Sequence, residues 1–205
     1  MNRLVSQSIT AGAGAGRTAS PANPAGSRRR SRTASIGQRA GERSPAAGEI
    51  FAWTGAREPR VLFDSDVLGM EHAAFTAAVV GRRNILFLIE TDKTAFGGFV
   101  PGEVKECDRY VKCADFFIFR IDGPDAQPRR WFRASNDRYR DLSVWVSSPG
   151  KANWFWLGHR SSISFGGTSP DENMCFHLHE FFAGVTAADP FPRSFTPRRL
   201  LVASM

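Results

Sequence analysis

The densest apolar stretch of the chain runs from Asn84 to Val100, NILFLIETDKTAFGGFV. Ile85 to Ile89 are apolar without alternation, which predicts a strand buried on both faces. Thr91-Asp92-Lys93-Thr94 is polar and short enough to be a hairpin connection, so Ala95 to Val100 is the expected partner strand. Gly97 and Gly98 weaken that strand, and such a pair marks a bulge or a close approach of two backbones. A phosphate-cradling loop would need GxGxxG or GxxxxGK[ST] spacing leading into a helix, and neither spacing occurs here.

The pattern on either side is mostly strand-like. Arg60 to Phe63 leads into Asp64-Ser65-Asp66-Val67-Leu68-Gly69, read as a turn before a helix. Met70 to Val80 is Ala-rich, with Met70, Ala74, Phe75, Ala77 and Ala78 at helical spacing and Gly81 as its stop. Pro101 to Lys112 reads as a polar connection. Asp115 to Ile121 is a further strand, apolar on both faces apart from Arg120. Asp122-Gly123-Pro124-Asp125 is a turn. Leu142, Val144 and Val146 alternate with Ser143, Trp145 and Ser147, as in a half-buried strand. Short strands are expected at 154–157, 161–165 and 198–203, with a loop from Gly166-Gly167 through Pro170 to Asn173. Met174 to Glu180 alternates again, with Met174, Phe176 and Leu178 on the core face. Many short strands and one clear helix predict a mainly β fold, a β-sandwich with helical elements.

Residues 1–48 break this pattern. They are rich in Ala, Gly, Ser, Arg and Pro and contain no aromatic residue. Such a segment buries too little apolar surface to offset its ordering entropy, so a disordered arm is expected, with the domain spanning 49–205. Composition changes at Glu49, where Ile50, Phe51 and Trp53 arrive together. The +7 net charge belongs to the arm: it has eight arginines and one acid, Glu42. Of the chain's 27 basic and 20 acidic residues, that leaves 19 of each in 49–205. A neutral domain argues against a broadly basic nucleic-acid binder. The densest basic patch, Arg28-Arg29-Arg30-Ser31-Arg32-Thr33-Ala34-Ser35, reads first as a solvated linker. It also places an arginine three residues before Thr33 and before Ser35, as in a basophilic phosphorylation site, where a phosphate would cancel local positive charge.

Three cysteines, Cys107, Cys113 and Cys175, cannot all pair, and a chain of this size does not depend on a disulfide scaffold. A reducing, cytoplasmic setting is the simpler expectation. No apolar run reaches the ~18–20 residues that span a bilayer. The start lacks a secretory apolar core, and its second residue is not glycine, against myristoylation. An Arg- and Ser-rich, acid-poor start is also the composition of an organellar transit peptide, without clear amphipathic periodicity.

Candidate chemistry is sparse. Asp64-x-Asp66 with Gly69 suggests an EF-hand loop, but position five is Leu68 and position twelve is Phe75, where a bidentate glutamate is needed. Cys175, His177 and His179 would share one face of a strand, and Cys107 and Cys113 could join them as a metal set. Zinc sites favour CxxC or HxxxH pairs, so the expectation is a polar face and no metal or other cofactor. No GxSxG elbow is present. Arg129-Arg130-Trp131-Phe132-Arg133 could stack and clamp a single nucleic-acid strand; in a neutral domain, a loop anchored by its aromatics is the simpler reading.

One resemblance covers roughly residues 60–205. LFDSDVLG (62–69), a helix containing Phe75, NILFLIETDKTAFGGFV, DFFIFRI, the later FGG at 165–167 before a Cys-containing polar loop, and the closing FTPRRLLVASM are together similar to a TLDc domain. Val67-Leu68 departs from the polar pair that usually follows Asp-Ser-Asp, 122–160 shows little similarity, and the arm has no counterpart. The resemblance implies two packed antiparallel sheets flanked by short helices. It also implies a non-catalytic protein-binding module tied to oxidative-stress protection and to the vacuolar-type proton-pumping ATPase. The alternatives left open by the residues are a thiol-dependent redox protein or enzyme using Cys107, Cys113 or Cys175, and a binder of anionic surfaces or nucleic acid through the arm.

Overall fold

A computed structural model describes residues 45–56, 59–121, 128–135, 138, 139, 141–159, 162–168, 170–186 and 191–205. The expectations for residues 1–44 of the arm, for Thr33 and Ser35, and for the turn at 122–125 lie outside these residues; the last four residues expected in the arm, 45–48, belong instead to a helix, Pro45–Thr54. Two antiparallel sheets form the fold. The first has six strands: β1 (Arg60–Asp64), β2 (Ile85–Glu90), β3 (Ala95–Val100), β5 (Phe117–Ile121), β6 (Arg129–Phe132) and β11 (Arg199–Ser204). Its order is β1-β11-β2-β3-β5-β6. The second has five: β4 (Tyr110–Lys112), β7 (Leu142–Val146), β8 (Phe155–Leu157), β9 (Ile163–Phe165) and β10 (Met174–Cys175), ordered β10-β9-β8-β7-β4. The helices are α1 (Pro45–Thr54), α2 (Ser65–Leu68), α3 (His72–Val79) and α4 (Leu178–Phe181), with a 3-10 turn at Pro170–Glu172.

The hairpin lies in the interior of the first sheet, as its unbroken apolar run requires. β2 pairs with β3 from Ile85↔Val100 to Glu90↔Ala95 without a shift of register. The Thr91–Thr94 turn is closed by the Thr91 N–H and its hydroxyl, both donating to the Thr94 carbonyl at 2.9 and 2.8 Å. The glycine pair is a close approach and not a bulge. A Cβ on Gly97 would lie 1.8 Å from the Phe87 carbonyl oxygen, and one on Gly98 would lie 3.0 Å from the Phe116 ring.

Aromatic rings fill the space between the sheets. Phe155 stands at the centre, with ring centroids 5.3 Å from Phe75, 4.9 Å from Phe87 and 5.0 Å from Phe165. Each such buried phenylalanine contributes about 1.5–3 kcal/mol through lost water contact. The far face of the first sheet is apolar too. There Leu86, Phe99, Phe117 and Phe119 form a second cluster with Ile50 of α1.

Several elements differ from the sequence reading. α1 and α2 add helix where a domain start and a turn were expected, and α3 is shorter than 70–80. β4 lies inside the expected polar connection. The 129–133 run is a strand, not a loop, with Trp131 and Arg133 turned inward.

Candidate functional site

A densely bonded polar site among the described residues gathers on Arg199. β1 ends at Asp64 in extended backbone, and the Asp64 carboxylate accepts the Asp66 N–H at 3.0 Å, capping α2. Gly69, at φ 73°, ends that single turn by donating its N–H to the Ser65 carbonyl at 2.9 Å. A left-handed φ of this kind favours glycine. The buried Ser65 hydroxyl accepts the Leu200 N–H at 2.9 Å. Arg199, at the head of β11, then grips Asp64 with two bonds, Nε to Oδ1 at 3.0 Å and Nη2 to Oδ2 at 2.7 Å. Its other contacts are Asp66 at 3.4 Å and Glu90 at 3.6 Å.

Three carboxylates thus converge on one guanidinium. The hydrogen bonds that Arg199 donates to Asp64 hold its guanidinium above its ordinary pKa. Burial pushes the Glu90 carboxyl up, and Arg199 partly offsets this. The bidentate geometry is the strong form of such a pair. Chemically the cluster is an interlock of α2, β1, β2 and β11. It is not a calcium loop: Asp64 and Asp66 face a fixed cation, and Phe75 is fully buried in the core. The Asp64–Arg199 pairing was missed in the sequence. A half-buried arginine heading an apolar strand needs a counterion, and three acids stood at the ends of predicted elements.

The cysteine and histidine set does not assemble. β10 is only two residues long, and His177 takes a left-handed φ of 46° that turns the chain into α4. Cys175 and Leu178 therefore point into the core, Met174 and Phe176 are half-buried, and His177 and His179 are exposed. This corrects the expectation of Met174, Phe176 and Leu178 on one face with Cys175 on the other. Both histidines approach Glu180 Oε1, His177 Nδ1 at 2.9 Å and His179 Nε2 at 3.9 Å. Among the described residues no three His, Cys, Asp or Glu side chains are placed to hold a metal ion. All three thiols are free; burial pushes Cys175 far up, and burial and then Asp108 push Cys107 up. A thiol raised in this way is a poor nucleophile at neutral pH.

The basic-aromatic run is split by the alternation of its strand. Arg133 is buried with its guanidinium over the rings of Phe181 and Phe182, at 5.0 and 5.2 Å. Arg130 and Phe132 project from the opposite face, towards Trp53 of α1.

The family model for the TLDc domain matches residues 49–200, about three-quarters of the chain, and so takes in both sheets and the Arg199 interlock. Among curated proteins none matches.

Proposed function

The chain belongs to the TLDc domain family, and from that premise we propose that it works by binding other proteins and not by catalysis, through a folding unit of residues 49–205. The observation that carries this reading is the family match itself. It is supported by the use of the best-placed polar groups: Asp64, Ser65, Glu90 and Arg199 are committed to holding strands together. Group transfer needs a nucleophile beside a base, and burial raises the Cys107 and Cys175 thiols and does not activate them.

We propose the vacuolar-type proton-pumping ATPase as the partner and protection against oxidative damage as the wider role, a reading that the family resemblance supports. The cytoplasm is the setting that matches both the partner and three free thiols. No helix among the described residues is long and apolar enough to cross a membrane. Thr33 and Ser35 are proposed as phosphorylation sites that tune the charge of the arm.

The direct test is binding of the purified full-length chain to the purified peripheral sector of a vacuolar-type ATPase, followed by light interferometry. The expected result is saturable binding that survives conversion of Arg28, Arg29, Arg30 and Arg32 to serine. No binding at micromolar concentrations refutes the ATPase assignment. Binding that vanishes with those arginines moves the function to the arm.

A further inference from the structure

Three large apolar side chains are well exposed among the described residues: Val67 at 62 %, Leu68 at 48 % and Phe132 at 43 %. The first two sit on α2 beside Asp64 and Asp66, so acids border them. Phe132 has the opposite surroundings. It stands on β6 on the same face as exposed Arg130. The Arg130 guanidinium lies 5.3 Å from the centre of the Phe132 ring, 5.2 Å from Trp53 and 5.7 Å from Phe117. Trp53 in turn meets Phe117 edge-on at 6.0 Å. The result is a cation held among aromatic rings, with one ring open to solvent.

In sequence, the patch is preceded by the chain's most basic segment. α1, which carries Trp53, directly follows residues 1–44, where eight arginines stand against one glutamate. Residues 49–205 have no net charge, so the sequence concentrates its positive charge just upstream of the exposed aromatic patch. Aromatic side chains with an apolar body and a polar neighbour settle at the headgroup level of a bilayer, and clustered arginines are drawn to anionic headgroups. Neither signal holds a protein on a membrane alone; stable attachment takes two.

We propose that Trp53, Arg130 and Phe132 form a docking site for an anionic phospholipid surface, with the arginines of residues 1–44 supplying the long-range attraction. The proposal is independent of the ATPase reading. The same charge would also attract nucleic acid or an acidic protein. Single-strand binding needs free ring faces for bases and a basic groove that tracks the backbone. Here Arg130 lies over the rings, and residues 49–205 are neutral. An acidic protein would cover the same ring, and it is one of the outcomes of the test.

Co-sedimentation of the full-length chain with vesicles tests this, using phosphatidylcholine alone and phosphatidylcholine with about one-third phosphatidylserine. Binding is expected to be at least about tenfold tighter to the anionic vesicles and to weaken as salt is raised. Phe132→Ser and Arg130→Ser are each expected to weaken it roughly threefold to tenfold with unchanged far-ultraviolet circular dichroism. A blue shift of tryptophan emission on binding is expected to shrink in Trp53→Phe. Three outcomes overturn the proposal. Equal binding to neutral vesicles removes the role of charge. Anionic binding untouched by Phe132→Ser and Arg130→Ser, but lost when Arg28, Arg29, Arg30 and Arg32 become serine, removes the role of the patch. Tighter binding to single-stranded RNA or polyglutamate than to anionic vesicles replaces the occupant.

Discussion

Gly97 offers the sharpest test of how the first sheet is held. In Gly97→Ala the new Cβ would lie 1.8 Å from the Phe87 carbonyl oxygen, 2.8 Å from the Phe87 carbonyl carbon and 3.3 Å from Leu88 Cα. All three atoms are backbone of β2, which is paired with β11 on one side and β3 on the other. Ordinary contact begins at 3.4 Å, so relief requires a shift of 1.6 Å, from 1.8 to 3.4. A ladder hydrogen bond does not survive that displacement. One or two such bonds would be lost, each at about 1–3 kcal/mol when buried. Stiffening of the unfolded chain returns only about 0.4–1 kcal/mol. The net expected loss is about 3–5 kcal/mol, against a total stability of about 5–15 kcal/mol for a domain.

Gly98→Ala is the control. Its Cβ would meet Phe116 Cε2 at 3.0 Å, Phe117 O at 3.1 Å and Leu157 Cδ1 at 3.2 Å. Two of those neighbours are side-chain atoms, and shifts of a few tenths of an ångström suffice, so about 1–2 kcal/mol is expected. Urea unfolding followed by tryptophan emission measures both. A thermal scan should show Gly97→Ala melting about 10 °C lower. If Gly97→Ala unfolds within about 1 kcal/mol of the parent, or if Gly98→Ala loses more, the close-approach account is wrong.

Three more outcomes follow from the same contacts. A double-mutant cycle of Asp64→Ala and Arg199→Ala is expected to give a coupling energy of about 1–3 kcal/mol, with Arg199→Ala the worse single change because it leaves three carboxylates facing one another; coupling near zero by urea unfolding refutes the interlock. Maleimide labelling with peptide mapping is expected to modify Cys175 roughly a hundredfold more slowly than the half-buried Cys113, and to reach it only on unfolding; equal rates would show that the core at Cys175 opens readily. His72 stacks on Trp154 at 5.0 Å, and burial holds its pKa below the ordinary 6.5. The unfolded chain thus takes up that proton first, so the stability from His72 is full above pH 6.5 and is lost as pH falls through the lower folded value. His72→Phe is expected to flatten the melting temperature between pH 5 and 7 relative to the parent, and an unchanged slope there refutes the assignment.

The parts of the fold legible in the sequence were those set by local pattern. The unbroken run at 85–89 identified a strand buried on both faces, and the polar 91–94 turn fixed its register. Gly97-Gly98 marked either a bulge or a tight approach, and only the Phe87 backbone beside Gly97 decides for the second. What stayed hidden was set by distant partners. Asp64-Ser65-Asp66 looked like a plain turn because its two anchors, Arg199 and Leu200, lie 135 residues further on. Arg129–Phe132 read as a loop because its inward Trp131 and outward Arg130 and Phe132 make sense only against β5 and α1. Met174–Glu180 alternates like a strand, yet the left-handed turn at His177 overrides the pattern after two residues.

β11 lies between β1 and β2, although it follows every other strand in the chain. A ribosome that has made both neighbours must still release residues 199–204 before the sheet can close. Until then β1 and β2 expose facing ladders of unpaired amides and carbonyls, with an apolar gap the width of one strand. From the completion of β2 until residues 199–204 emerge, a nascent domain of this topology is exposed to misassembly at those edges, and a peptide mimicking Arg199–Ser204 is expected to cap the unfinished sheet.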